Sequence, residues 1–265
     1  MSAAARVTRY QIAPIADRAT PQLKIAILAD LHCNRPFMGL SRLASLVAQT
    51  NALAPDLVLL LGDYAGHVLF GREIAPKDVA ATLAHLQSPF GVHTVFGNHD
   101  WYSDPKAKAA QAPTKWHKAF EDAGLKTYSN RFVTLQTDPP IQLAGLESQR
   151  AFHSRQHPTP KGLDDWPKLA AQLDPDRMTL LMAHEPDIFP DLPDWVDLTL
   201  SGHTHGGQIA PFGFPLIVPS KYGRRYAYGA FQDGRKQLVV SGGLGCSSLP
   251  IRVGRPPEIV WIDLK

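Results

Sequence analysis

The sequence predicts an α/β fold, and three observations predict it. Apolar runs of strand length recur along the chain. Segments with apolar residues at helical spacing lie between them. The runs end in carboxylate, amide or imidazole side chains rather than in ordinary turn residues. In order, "LKIAILAD" (23–30) reads as a strand ending in a carboxylate, and 39–53 as a helix with Leu40, Leu43, Leu46, Val47 and Leu53 on one stripe. "PDLVLLLGD" (55–63) is a second strand, "PKDVAATLAHL" (76–86) a second helix, and "GVHTVFGNHD" (91–100) a third strand. Strand–helix alternation of this kind means βαβ units and a largely parallel sheet buried on both faces. Further on, 141–147, 178–184 and 196–203 read as strands, with a helix near 163–172. The runs at 224–231, 236–243 and 258–264, separated by Gly/Pro turns, read as a mostly antiparallel sheet. With no repeat, low-complexity stretch or linker, residues 1–265 read as one domain.

Composition narrows the function classes. Hydrophobic residues at 44% and charged residues at 19% are ordinary for a globular protein and set disorder aside. A net charge of +3 is too mild to argue for a nucleic-acid partner. Cys33 and Cys246 are too few for a disulfide framework. No apolar stretch approaches the ~18–20 residues of a membrane span. "MSAAARVTRY" has no apolar region of signal-peptide length, so the expectation is a cytoplasmic chain, with a removed leader as the alternative.

The strand ends carry the chemistry. Asp30 and His32, Asp63, Asn98 with His99 and Asp100, His184, and His203 with His205 all follow an apolar run. In open α/β sheets ligands bind beyond the carboxyl ends of strands, so these groups are expected to converge. His203 and His205 alternate in "SGHTHGGQ" (201–208), which on a strand end puts both imidazoles on one face. Asp30, His32, Asp63, Asn98, His184, His203 and His205 make a borderline nitrogen–oxygen donor set. Such a set suits Mn, Fe or Zn and is too nitrogen-rich for Ca or Mg. Seven donors are too many for one ion and right for two divalent metal ions if a carboxylate bridges, with Asp63 the natural bridge. Gly62, Gly97, Gly202, Gly206 and Gly207 leave room for the ions.

Asp30-Leu31-His32, Gly62-Asp63, Gly97-Asn98-His99-Asp100, His184 and Gly202-His203-Thr204-His205, in that order, resemble the calcineurin-like metallophosphoesterase superfamily. "GHTHGGQ", "SGGLG" (241–245) and "RPPEIVWIDL" (255–264) resemble its bacterial YkuE/YaeI-like phosphodiesterase branch. The resemblance implies a four-layer αββα sandwich of two mixed sheets flanked by helices, with the site at one edge of the paired sheets. It implies a binuclear metal-dependent phosphoric ester hydrolase acting on phosphodiesters through a metal-bridging hydroxide. Asp30, His32, Asp63 and His205 would hold one metal, and Asp63, Asn98, His184 and His203 the other. His99 would assist the leaving group, and Asp100 would orient His99. The alternatives are a pyrophosphohydrolase of a UDP-linked lipid A precursor and a metal-binding, non-catalytic scaffold.

For a small phosphoester substrate, His67, Trp101, Tyr102, Phe214 and Arg224 are the candidate contacts, each with a structural alternative as a surface or core residue. "APFGFPLIVPS" (210–220) is unusually apolar for a loop and reads either as packing or as a wall for a lipid-like ester or a membrane surface. "RAFHSRQHPTP" (150–160) reads as a solvated loop or as a substrate-facing lid. Cys33 reads as a small buried filler. Oligomeric state is left open.

Overall fold

A computed structural model describes residues 4–13, 18–152 and 162–265. Two six-stranded sheets dominate it. The first runs, edge to edge, β1 (Arg6–Ile12), β14 (Glu258–Leu264), β2 (Leu23–Leu28), β4 (Leu57–Leu60), β6 (Val92–Thr94) and β7 (Lys126–Thr127). Only the β14–β2 pairing is antiparallel. The second runs β12 (Gly229–Asp233), β13 (Lys236–Val240), β11 (Leu198–Ser201), β10 (Thr179–Ala183), β9 (Ile141–Leu146) and β8 (Arg131–Leu135). Its two edge strands are antiparallel and its inner four parallel. A small ladder pairs β3 (Asn34–Arg35) with β5 (Arg72–Glu73).

The unbroken apolar runs follow from burial on both faces. Ile25, Ile27, Leu57 and Leu59 join Leu143, Leu180, Met182 and Leu200 in the core between the sheets. Their neighbours Ala26, Leu28, Val58 and Leu60 face outward onto Leu43 and Leu46 of α1 (Leu40–Ala52), Leu83 of α2 (Pro76–Leu83) and Phe120 of α5 (Lys115–Asp122). On the far side, Leu181, Leu238 and Val240 pack on Leu169 of α6 (Trp166–Ala170) and on Phe189. The layers are therefore helix, sheet, sheet, helix. Truncating a central residue such as Leu59, fully buried, to alanine would cost ~2–5 kcal/mol.

Two expectations are corrected. Residues 258–264 do not extend the sheet of 229–240 but cross to the first sheet, because all but one of their side chains are buried, as an inner strand requires. β13 pairs with β11 in parallel, so the late strands form one hairpin and not an antiparallel sheet of their own. The amphipathic edge strand β1 carried too mixed a pattern to be anticipated. The helix expected near 163–172 is one short turn, started by the Asp165 side chain accepting from Lys168 N–H at 3.1 Å. Among the described residues no helix is long and apolar enough to cross a membrane.

Candidate metal centre and active site

The parallel strands β2, β4, β6, β10 and β11 all point their carboxyl ends to one edge of the sandwich, and the polar residues beyond them meet there. Five of the seven metal-type donors sit at positive φ: Asp30 (53°), His32 (43°), Asp63 (55°), His203 (69°) and His205 (53°). Non-glycine residues there store on the order of 1–3 kcal/mol each and persist only where the surroundings hold them. Asp100 supplies much of that hold. Its carboxylate accepts the backbone N–H groups of Tyr64 and Ala65 at one oxygen (both 2.9 Å), and of Asp63 (3.0 Å) and Gly97 (2.9 Å) at the other. This corrects the expectation that Asp100 orients the His99 imidazole: both of its oxygens are committed to the backbone that presents Asp63. His203 and His205 also differ from expectation. β11 ends at Ser201, and the two residues reach the site from a turn rather than by strand alternation.

The turn sends the two imidazoles to different neighbours. His205 stacks on His32 with ring centroids 4.9 Å apart, and their Nε2 atoms are 3.0 Å apart. With Asp30 they form one cluster of ligand-type atoms lying within 4.8 Å of one another. His203 meets His184 edge-on at 5.1 Å, and with Asp63 these form another such cluster. Asp63 Oδ2 lies between the clusters, 3.3 Å from His184 Nε2 and 3.6 Å from His32 Nε2. A third grouping joins His99 to His32 and Asp63.

Two buried atoms here, Asn98 Oδ1 and His203 Nδ1, have no hydrogen-bond partner, and a third, His184 Nε2, has only the Asp63 carboxylate, at 3.3 Å. A buried orphan costs ~1–3 kcal/mol, and a cation at this site would satisfy both. The opposite ring nitrogens are anchored. His184 Nδ1 donates to Leu61 O (2.6 Å), His32 Nδ1 to Ala65 O (2.9 Å) and His203 Nε2 to Pro219 O (2.9 Å). For His32 and His203 the carbonyl fixes the tautomer that turns a lone pair inward, and for His184 it holds the ring so that Nε2 faces Asp63. Burial pushes His32 down to about 3, and His203 and His205 well below the usual histidine range, so these rings are neutral donors. Burial would raise Asp63, but His184, His99 and His32 outweigh it and hold the carboxyl well below the usual range. Burial would lower His184, but the charge and hydrogen bond of Asp63 hold it well above. Asp30 is pushed up to about 7 by burial. Gly97 leaves the necessary gap: a Cβ there would stand 2.6 Å from His184 Nε2 and closer still to Asp63 Oδ1.

Above these groups opens a cavity of about 370 Å³, lined by Asp63, Asn98, His99 and His203 on the donor side. Tyr102 and Arg150 stand on one wall, and Leu216, Ile217 and Leu249 on another. Of the substrate contacts expected from sequence, Tyr102 lines the cavity. Trp101 is not: α3 (Asn98–Tyr102) turns it away from Asn98 and His99 into the core, where its Nε1 donates to Glu147 (2.9 Å). Phe214 and Arg224 are exposed and outside the lining, because the chain returns to the cavity only at 216–219. His67 is exposed on a neighbouring loop, also outside the lining. Arg150 opens the stretch read from sequence as a solvated loop or a substrate-facing lid, and it follows the end of β9 as the other site residues follow theirs. Arg252 was missed; its Nη2 lies 3.2 Å from His205 Nδ1. His153, Arg155 and His157, the rest of the possible lid, lie outside the described residues. Cys33 is fully buried, as a filler would be.

Comparison with known proteins agrees with this geometry. The profile of the calcineurin-like phosphoesterase family matches residues 23–207. The chain is 30% identical over 253 residues to the metallophosphoesterase YkuE of Bacillus subtilis, covering 91% of this chain and 79% of YkuE. It is 30% identical over 263 residues to the phosphodiesterase YaeI of Escherichia coli, covering 97% and 87%. It is also 29% identical to the bovine transmembrane protein with metallophosphoesterase domain, of which it spans 53%. It spans 48% of a putative Caenorhabditis elegans metallophosphoesterase. The chain belongs to the calcineurin-like metallophosphoesterases, metal-dependent hydrolases of phosphoric esters.

Proposed function

We propose that the chain hydrolyses phosphodiesters with two divalent cations of the Mn, Fe or Zn type. Asp30, His32, Asp63 and His205 hold one cation, and Asp63, Asn98, His184 and His203 hold the other. The observation that carries this reading is the cluster of ligand-type atoms of Asp63, His184 and His203, together with the buried atoms Asn98 Oδ1 and His203 Nδ1 that have no other partner. Bound cations at such a site supply Lewis acidity toward a phosphoryl oxygen and activate water as the nucleophile. The chain's own residues do the rest. Asp63 carries its negative charge at the centre, kept ionised by the imidazoles around it. His99 lines the cavity, and its backbone N–H donates to Asp63 Oδ1 at 2.8 Å, which ties its position to the bridge. Burial lowers its pKa, so the ring is neutral at pH 7 and offers one N–H to the leaving oxygen. Arg150, anchored by the Tyr102 hydroxyl donating to its backbone oxygen (2.9 Å), places a guanidinium over a non-bridging phosphate oxygen.

The similarity to YaeI, named a phosphodiesterase, supports the diester in this reading. The test is hydrolysis of bis-p-nitrophenyl phosphate by protein stripped with chelator and then given back Mn²⁺, Fe²⁺ or Zn²⁺. Recovery of turnover on metal addition is expected. Equal rates with and without metal would overturn the proposal.

A further inference from the structure

Two loops line the mouth of the cavity and another adjoins them, and each turns apolar side chains to the outside. The loop at 66–71 presents Leu69 and Phe70, the latter 83% exposed. The loop at 208–218 presents Phe212, 99% exposed, with Phe214 and Ile217. The loop at 246–253 presents Leu249 and Ile251. The loops form one surface, because the third is bonded to the other two. Ser248 N donates to His67 O (2.9 Å) and Leu69 N to Ser248 O (2.8 Å) on one side. On the other, Ala210 N donates to Val253 O (2.8 Å) and Val253 N to Gln208 O (3.0 Å). Leu216, Ile217 and Leu249 continue this surface into the cavity beside His203 and His205.

Phe70 and Phe212 are informative for a second reason. Their φ angles are 63° and 52°. A bulky residue is strained there, and glycine or asparagine would be relaxed. Both rings are strained and solvated, so neither helps to hold this chain together. The charge pattern says what they meet. Residues 64–73, 208–228 and 246–257 contain Arg72, Lys221, Arg224, Arg225, Arg252 and Arg255 against one carboxylate, Glu73, and Lys221 is paired with Asp191 at 3.3 Å. Arg72, Lys221, Arg224 and Arg225 are exposed. Apolar tips beside exposed cations, with Arg224 and Arg225 and the Phe212 loop carrying no carboxylate between 208 and 228, complement acyl chains beneath anionic headgroups.

We propose that this face docks on an anionic phospholipid surface, so that the cavity opens toward phosphodiesters held in that surface. The second clause rests on the phosphodiesterase reading above; the docking does not. The experiment uses the full chain and its Phe70→Asn/Phe212→Asn variant, in sedimentation with vesicles of phosphatidylcholine alone or mixed with phosphatidylglycerol. Neither residue lines the cavity, and asparagine accepts positive φ. The variant is expected to melt at the same temperature or higher and to keep its turnover of bis-p-nitrophenyl phosphate in solution. The wild type is expected to pellet with the anionic vesicles, and the variant to bind them at least ~tenfold more weakly. Wild-type protein that hydrolyses the soluble diester but pellets with neither vesicle would overturn the docking and leave the catalytic reading standing. Pelleting with anionic vesicles by a protein that no metal activates would support the docking and overturn the catalysis. Equal binding to both vesicles, or equal binding by the variant, would also overturn the proposal. So would self-association in the ultracentrifuge that the variant abolishes, which would assign the face to a second copy of the chain.

Discussion

Gly97→Ala tests whether the space between the donors is a cation site. The backbone of Gly97 (φ −106°, ψ 179°) suits alanine, so the added methyl acts only through its contacts. It would stand 2.6 Å from His184 Nε2 and 2.7 Å from His184 Cε1, and it would also overlap Asp63 Oδ1. Relaxing the first contact to ordinary van der Waals distance needs a shift of about 0.8 Å. Metal–ligand distances tolerate ~0.2 Å, so the donor pair Asp63 and His184 is moved well outside that range. Overpacking of this kind costs ~1–3 kcal/mol of stability, too little to unfold a domain of this size. Misplacing reacting groups by ~1 Å costs on the order of 10²-fold in rate. Mn²⁺-reconstituted Gly97→Ala should therefore carry about one metal per chain instead of two and lose about 10²-fold in kcat toward bis-p-nitrophenyl phosphate. Elemental analysis and steady-state kinetics on the same preparation read both. Gly39→Ala, whose methyl meets nothing within 4 Å, should keep both metals and full turnover. Two full equivalents and unchanged kcat in Gly97→Ala would refute the reasoning.

Asp63→Asn removes the charge shared between the clusters, and metal content should fall well below two per chain; an active variant with two equivalents would contradict the bridge. His99→Ala should keep its metal but lose ~10²–10³ in rate on an alkyl ester, and less with p-nitrophenolate, whose delocalised charge needs less of the ring's hydrogen bond. Equal losses on both leaving groups would mean that His99 stabilises phosphoryl charge instead. His93 gives a pH test away from the cavity. Its ring is buried, bonded to Tyr128 Oη (2.8 Å) and Phe90 O (2.9 Å), and burial pushes it down to about 4. The unfolded histidine titrates near ~6.5, so between these values the unfolded chain takes a proton that the native state refuses. Stability is therefore lost as pH falls from ~6.5 toward 4, by up to ~3 kcal/mol from this residue. His93→Gln should remove that part of the pH dependence of urea midpoints; an unchanged slope would contradict it.

The convergence of the candidate donors was legible because each follows a buried apolar run, and such runs betray their ends. Asp30, Asp63 and His184 needed only that rule. The pairing of late strands was not legible, since burial on both faces marks 258–264 as an inner strand without saying of which sheet. The role of Asp100 was missed because sequence adjacency to His99 suggests a partner, whereas α3 turns its carboxylate toward the backbone of 63–65. Trp101 and Tyr102 show the same limit. They are adjacent in sequence, yet the helix sends one to the core and the other to the cavity. Arg252 lies 47 residues from His205 in sequence, and only the third dimension brings them together.

The most direct test of the central claim is anomalous diffraction from crystals of the Mn²⁺-loaded protein, measured on both sides of the manganese absorption edge. The expected result is two peaks, ~3.5–4 Å apart, astride the Asp63 carboxylate. One peak would belong with Asp30, His32 and His205, the other with Asn98, His184 and His203. A single peak, or peaks that leave Asp63 without metal, would contradict the account.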